Sequence, residues 1–280
     1  RHIQREQPDA LLTTGGYVSG PVTLAAAWQH VPILVYLPDI EPAQSVKAAG
    51  RLATRIGVTV EDSRAFLPAE KVVVTGYPLG DRITRWSRAT GRAALGLDPD
   101  AQVLLVFGGS RGARSINRAL LARLPELTDV ADVVHISGEL DWPEVAAARA
   151  ALPEHVKARY HAYAYLHDEM GAAMAAADLV ICRAGASILG EFPYFGLPSI
   201  LVPYPYAWRY QKVNAAWLAD QGAALVIEDA ALSEQIAPTA RALLTDTSHR
   251  EAMAAAARAL ARPDAAQRLA ELLLALGKKG

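Results

Sequence analysis

The chain has 280 residues and a formal net charge of −1, a balance that excludes broad electrostatic binding to nucleic acid. Hydrophobic residues make up 52%, enough to fill the cores of one large or two medium domains. The single cysteine, Cys182, excludes an intrachain disulfide framework and fits a reducing compartment. It closes the apolar run Asp178-Leu179-Val180-Ile181-Cys182 and reads as a small core residue rather than a nucleophile. No apolar run reaches membrane-spanning length and no secretory leader pattern opens the chain. The chain opens on Arg1, and Arg1–Pro8 reads as the end of a helix already in progress, so further sequence upstream is expected.

In chain order, strands are predicted over Ala10–Thr14, Ile33–Leu37, Ile56–Val60 and Val72–Thr75. After a pause come Val103–Phe107, Val133–Ile136, Ala158–His161, Leu179–Cys182, Ser199–Val202 and Ala224–Ile227. Helical patterns fall between them at Ala113–Leu124, Glu169–Ala176, Gln211–Asp220 and Leu232–Leu244, and Pro263–Leu276 closes the chain as an amphipathic helix. Alternation of this kind predicts an α/β protein of βαβ units with parallel sheets. The pause from Gly76 to Asp100 predicts a domain boundary. The expected organisation is a first domain over 1–82, a linker over 83–100, a second domain over 101–262 and a terminal helix over 263–280.

Three strand-to-helix junctions carry the chemistry. Val103–Phe107 runs into Gly108-Gly109-Ser110-Arg111-Gly112 and then a helix. Glycines there let backbone N–H groups approach an anion, and the helix N-terminus adds partial positive charge. The run matches neither the dinucleotide fingerprint nor the P-loop, so a plain tight turn competes with a phosphate site. A second turn, Gly15-Gly16-Tyr17-Val18-Ser19-Gly20-Pro21, repeats the arrangement in the first domain. At the third junction Gly185 is followed by Ala186, Ser187 and Ile188, with Glu191 about one helical turn on. A carboxylate there can accept both hydroxyls of a ribose, or it is an ordinary solvated helix residue. Gln211 and Asn214 share a helix face, where their amides suit sugar hydroxyls or an ordinary polar surface.

Together these segments resemble the successive signatures of the MurG family. Leu166-His167-Asp168-Glu169-Met170, Gly196-Leu197-Pro198 and Gln211-x-x-Asn214-Ala215 fall in the same order, and the resemblance spans essentially the whole chain. It implies a GT-B glycosyltransferase fold of two Rossmann-like parallel-sheet domains, the first truncated at its N-terminus. It also implies an activity, the inverting transfer of GlcNAc from UDP-GlcNAc to the MurNAc C4 hydroxyl of lipid I, giving lipid II in peptidoglycan synthesis. By that resemblance Ser110, Arg111, Gly112, Ala186, Ser187 and Ile188 contact the donor diphosphate. Leu166, His167 and Met170 flank the uracil, Glu191 holds the ribose, and Gln211 with Asn214 holds the GlcNAc. Gly15, Gly16, Tyr17 and Ser19 lie on the acceptor side. The motif set calls for no metal and no cofactor beyond the donor substrate. The implied partners are UDP-GlcNAc, lipid I and a membrane surface at the bacterial cytoplasmic face, with Trp28 and Trp86 as candidate contacts; either tryptophan reads more readily as ordinary packing.

Three departures bear on the acceptor side. The family's first glycine loop, which carries its candidate base histidine, has no counterpart in this sequence, so the 280-residue chain is expected to be catalytically crippled. Where the family has His-Glu-Gln-Asn, this chain has Tyr36-Leu37-Pro38-Asp39, which leaves Asp39 and Glu41 as weak candidates for a catalytic carboxylate. The family's Gly-Asn-Pro-Val-Arg turn reads Gly76-Tyr77-Pro78-Leu79-Gly80, with Arg82 as a partial replacement for the arginine. Tyr210 stands where the family commonly has a more polar residue. The competing readings are a GT-B transferase with a different glycolipid acceptor and a non-catalytic nucleotide-sugar-binding protein.

Overall fold

The computed structural model describes residues 2–16, 18–109, 112–206 and 210–277. It divides into two compact units, Arg1–Leu79 with Arg262–Gly280, and Gly80–Ala261.

The first unit contains α1 (His2–Glu6), β1 (Leu11–Thr13), α2 (Ser19–Trp28), β2 (Ile33–Leu37), α3 (Gln44–Leu52), β3 (Arg55–Val58) and β4 (Val72–Val74). Its strands form a parallel sheet in the order β1-β2-β3-β4. β2 has a neighbour on each side and is buried along its whole length, which is why it reads as an unbroken apolar run. The chain's last helix returns to this sheet. A Cβ on Gly57 of β3 would meet Leu269 Cδ1 at 3.1 Å, and one on Gly76 would meet Arg262 Cβ at 2.8 Å.

The second unit begins with α4 (Asp81–Thr84) and α5 (Arg88–Leu95). The sheet and its crossovers follow: β5 (Val103–Phe107), α6 (Arg114–Ala122), α7 (Leu124–Thr128), β6 (Asp132–Ile136), α8 (Trp142–Ala150), α9 (Glu154–Lys157) and β7 (Tyr160–Tyr163). The second half comprises α10 (Met170–Ala176), β8 (Leu179–Cys182), α11 (Ile188–Phe195), β9 (Ser199–Leu201), α12 (Tyr210–Asp220), β10 (Ala224–Val226), α13 (Leu232–Thr245) and α14 (Thr247–Ala259). The returning helix is α15 (Ala265–Gly277). All strands of this sheet are parallel, in the order β10-β9-β8-β5-β6-β7. α6 turns Ile116 and Leu120, one helical turn apart, fully into the core, and each contributes roughly 1.5–3 kcal/mol by burial.

The expected linker over 83–100 is a packed part of the second unit. Ser87 and Thr90 form a reciprocal capping box that starts α5, and Gly96 ends it in the left-handed region. The glycines Gly91 and Gly171 let α5 and α10 approach closely; a Cβ on Gly91 would lie 2.5 Å from the Ala172 carbonyl. Buried Arg92 ties the segment to the sheet, donating to the Asp178 carboxylate (2.9 Å) and to the carbonyls of Ala176 and Asp98. The closing helix is likewise part of the first unit rather than a separate element.

Candidate functional site

The strand order of the second sheet reverses between β5 and β8. From β5 the chain moves outward through β6 and β7, and from β8 it moves outward through β9 and β10 on the other side. Crevices beyond the carboxyl ends of strands at such a switch point are where open α/β sheets bind ligands. The turn after β5 and the turn after β8 sit there, and with the loop after β9 they enclose a cavity of about 670 Å³ lined by Gly108, Gly109, Gly112, Arg114, Arg183, Tyr204, Tyr206, Gln211 and Asp229.

The glycine turn is sterically compulsory. A Cβ on Gly108 would sit 2.2 Å from the Ala113 nitrogen, and one on Gly112, at φ +76°, would sit 2.2 Å from the Ser137 carbonyl oxygen. Gly109 has open space but a φ of +90°. α6 begins directly after this turn with no side-chain cap, so its first N–H groups are presented at the cavity. Ser110 and Arg111, expected to contact the same ligand, lie outside the described residues.

Arg183 dominates the opposite wall. Its guanidinium meets the Asp229 carboxylate at 2.6 Å and Ser115 Oγ at 2.7 Å, and it lies 5.2 Å from the Tyr204 ring centre. Ser115 Oγ in turn donates to Asp229 (2.8 Å). The cluster joins the first turn of α6 to the β8 loop and to the short 3₁₀ helix Asp229–Ala231. Sequence reasoning assigned no role to Arg183, Tyr204, Tyr206 or Asp229. The available signal was a basic residue immediately after a central strand at the switch point.

The other expected donor residues occupy the neighbouring carboxyl-end loops. Ala186 and Ser187 are half-buried before α11, and the buried Ile188 donates its N–H to Gly185 at 3.3 Å. Glu191 lies on α11, where burial raises its carboxyl above the usual range against the opposing hydrogen bond from Ser187. Leu166 is buried, Met170 half-buried, and exposed His167 packs its ring against Tyr165 at 4.7 Å. Gln211 lines the cavity and accepts the Tyr204 N–H (2.9 Å). Asn214 does not line it. It is fully buried and its amide donates to the Ala184 carbonyl (3.2 Å), which braces the β8 loop. Arg82 is exposed and 3.5 Å from Asp168, a pair of the kind worth at most about 1 kcal/mol.

In the first unit the turn after β1 holds Gly15 at φ +86° and Gly16 at φ +90°. Ser19 Oγ donates to the Gly16 carbonyl (2.8 Å) and closes the turn, while Tyr17 lies outside the described residues. Asp39 and Glu41 are half-buried beyond the carboxyl end of β2, flanking buried Ile40. Tyr36 is structural. Its hydroxyl donates to the Gly76 carbonyl (3.2 Å) and pairs with Thr59 (3.1 Å), and burial pushes its pKa up so that it stays protonated. Trp86 packs against Gly171 and donates to the Asp168 carbonyl, whereas Trp28 is 87% exposed, against the expectation of ordinary packing.

The glycosyltransferase family 28 C-terminal domain matches residues 103–269. A Roseiflexus sp. (strain RS-1) protein is 42% identical over 98% of this chain and 70% of its own length. It is named UDP-N-acetylglucosamine–N-acetylmuramyl-(pentapeptide) pyrophosphoryl-undecaprenol N-acetylglucosamine transferase. The protein of that name from Moorella thermoacetica is 37% identical over 100% of this chain and 77% of its own length. The chain belongs to the MurG family. The crystal structure of Acinetobacter baumannii MurG superposes with a TM-score of 0.77 at 26% identity, covering 98% of this chain and 77% of that one. A UDP-GlcNAc 2-epimerase from Neisseria meningitidis, at 16% identity and a TM-score of 0.71, shares the fold alone. The GT-B architecture expected of a MurG relative is therefore the one observed.

Proposed function

We propose that the gene product transfers GlcNAc from UDP-GlcNAc to the C4 hydroxyl of the MurNAc of lipid I, releasing UDP and inverting the anomeric centre. The observation that carries this reading is the uncapped α6 N-terminus behind a compulsory glycine turn, at the switch point of a MurG-family sheet. In the reaction the acceptor O4–H gives its proton to a base as O4 bonds to C1. The C1–O bond to the diphosphate breaks, and UDP leaves with the electron pair. Charge on the departing diphosphate grows in the transition state, so N–H dipoles already aimed at it bind that state more strongly than the ground state. Asp39 and Glu41 are candidates for the base in this chain, and the proposal includes no metal and no cofactor.

The lipid-linked acceptor implies a peripheral membrane location. Supporting it, α2 and the turn before it carry exposed Val18, Val22, Leu24 and Trp28 in one stretch. Among the described residues no helix is long and apolar enough to cross a membrane.

The test is transfer of labelled GlcNAc from UDP-GlcNAc to a lipid I analogue, by the complete gene product and by the 280-residue chain. Turnover by the complete product, lost on Glu191→Ala, supports the proposal. An absence of turnover in both proteins overturns it. UDP-GlcNAc binding without turnover in the complete product would favour a binding protein.

A further inference from the structure

Beneath the glycine turn of the second unit runs a chain of buried side chains. His135 of β6, Tyr160 of β7, Asn117 of α6 and Asp141 before α8 are each at most 6% exposed. A histidine between apolar neighbours in a central strand could be no more than a satisfied core residue. Its partners make it more than that.

The direction of every bond in the chain can be derived. The Asp141 carboxylate and the Ser137 carbonyl can only accept, and both face Asn117 Nδ2, at 3.0 and 2.9 Å. This orients the amide, so Asn117 Oδ1 faces His135 Nε2 at 2.9 Å as an acceptor. His135 Nε2 therefore carries a hydrogen. Burial lowers the pKa of the imidazole to about 3, which leaves it neutral, so Nδ1 is a lone pair and takes the Tyr160 hydroxyl at 2.7 Å. The bonds run one way, from Tyr160 to His135 to Asn117 and on to Ser137 and Asp141. Arg114 Nε reaches the other Asp141 oxygen at 2.8 Å.

The chain ends on two parts of the cavity. Ser137 O is the atom that excludes any side chain at Gly112, so it is the surface on which the turn rests. Asn117 lies in the first turn of α6, and Arg114 both opens that helix and lines the cavity. The chain therefore holds the turn and the helix start in one fixed relation.

We propose that His135 is a positioning residue for the diphosphate turn, acting through Asn117 and the Ser137 carbonyl without touching the ligand. The proposal rests on the reading of this turn as a nucleotide diphosphate site. It predicts that loss of His135 weakens binding of the diphosphate and spares the nucleoside, which other loops would hold.

The experiment is calorimetric binding of UDP and of uridine to the chain and to three variants, each checked for folding by circular dichroism. The wild type should bind UDP more tightly than uridine. His135→Leu leaves the Asn117 oxygen and the Tyr160 hydroxyl without a partner and should weaken UDP on the order of tenfold, with uridine unchanged. His135→Gln keeps an N–H donor at the end of the side chain and should restore UDP affinity to within about threefold. If the leucine variant does not fold, Tyr160→Phe carries the test and should cost UDP roughly threefold and uridine nothing. Nitrogen NMR of the wild type should show His135 protonated at Nε2 and bare at Nδ1 at pH 7. Equal losses for UDP and uridine, no loss for either, or a proton on Nδ1 overturn the inference alone. A wild type that binds UDP no better than uridine overturns the functional reading together with it.

Discussion

The two glycine turns of this chain look alike in sequence and differ in what surrounds them. Both follow a parallel strand, both hold two glycines in the left-handed region, and both lead into a helix with no side-chain cap. The turn after β5 is wedged against backbone, at Ala113 N and Ser137 O, over a fully hydrogen-bonded buried chain. The turn after β1 meets only a side chain, Val46 Cγ2 at 2.6 Å from a Cβ on Gly15, with open space at Gly16 and exposed apolar residues beyond. A backbone contact cannot relax by changing rotamer, whereas a valine can. The motif thus specifies a backbone path, and its surroundings decide how rigidly that path is held.

The largest expected effect separates the turns directly. Gly112→Ala should cost on the order of 4 kcal/mol in urea unfolding, combining left-handed strain with overpacking against a carbonyl. Gly16→Ala should cost only the strain, about 1–2 kcal/mol, and Gly15→Ala should fall between them. Equal losses at Gly112 and Gly16 would break the comparison.

Next in size is Arg183→Ala, which strands the Asp229 carboxylate beside Ser115. Roughly 3 kcal/mol of stability should be lost, with UDP binding falling in the same calorimetric assay. An unchanged UDP affinity in a folded variant would remove Arg183 from the site.

A pH effect follows from the buried chain. The pKa of His135 drops from 6.5 to about 3 on folding because burial disfavours the imidazolium. The unfolded chain therefore takes up this proton first. The contribution is complete above about pH 6.5 and is lost as pH falls toward 3, by about 1.4 kcal/mol per pH unit. His161, also lowered by burial, adds the same sign, and Glu191, raised by burial, has the opposite sign. Denaturation of wild type and His135→Gln at pH 7 and pH 5 isolates the term, and the variant should show the flatter dependence.

The smallest stability effect belongs to the first unit. Trp28→Ser should change stability by no more than about 0.5 kcal/mol, since the ring is exposed. It should nevertheless reduce sedimentation with anionic lipid vesicles. Undiminished sedimentation would count against α2 as a membrane contact.

Much of the fold was legible because parallel strands buried on both faces read as short apolar runs. Val103–Phe107, Ile33–Leu37 and Leu179–Cys182 match the observed strands residue for residue. The run placed at Ala158–His161 is β7 at Tyr160–Tyr163, because Ala158 and Arg159 complete the turn that ends α9. α2 shows the limit of periodicity. Its sequence is apolar nearly all round, so nothing local told the buried Ala26 from the exposed Leu24 and Trp28. At the site, Gly112 and Gln211, singled out by motif and spacing, both line the cavity. Asn214 is buried with its amide on the Ala184 carbonyl, a partner that helix-face spacing does not reveal.

By itself the sequence determined the alternation of strands and helices, the parallel sheets and the glycine turn at the head of α6, all of which depend on neighbours within a few residues. Only the tertiary structure decided that α4 and α5 join the second unit, that α15 joins the first, and that Arg183 and His135 hydrogen-bond to the first turn of α6. Those outcomes depend on partners far away in the chain, such as Arg92 with Asp178 or Ser115 with Asp229, which no local pattern encodes.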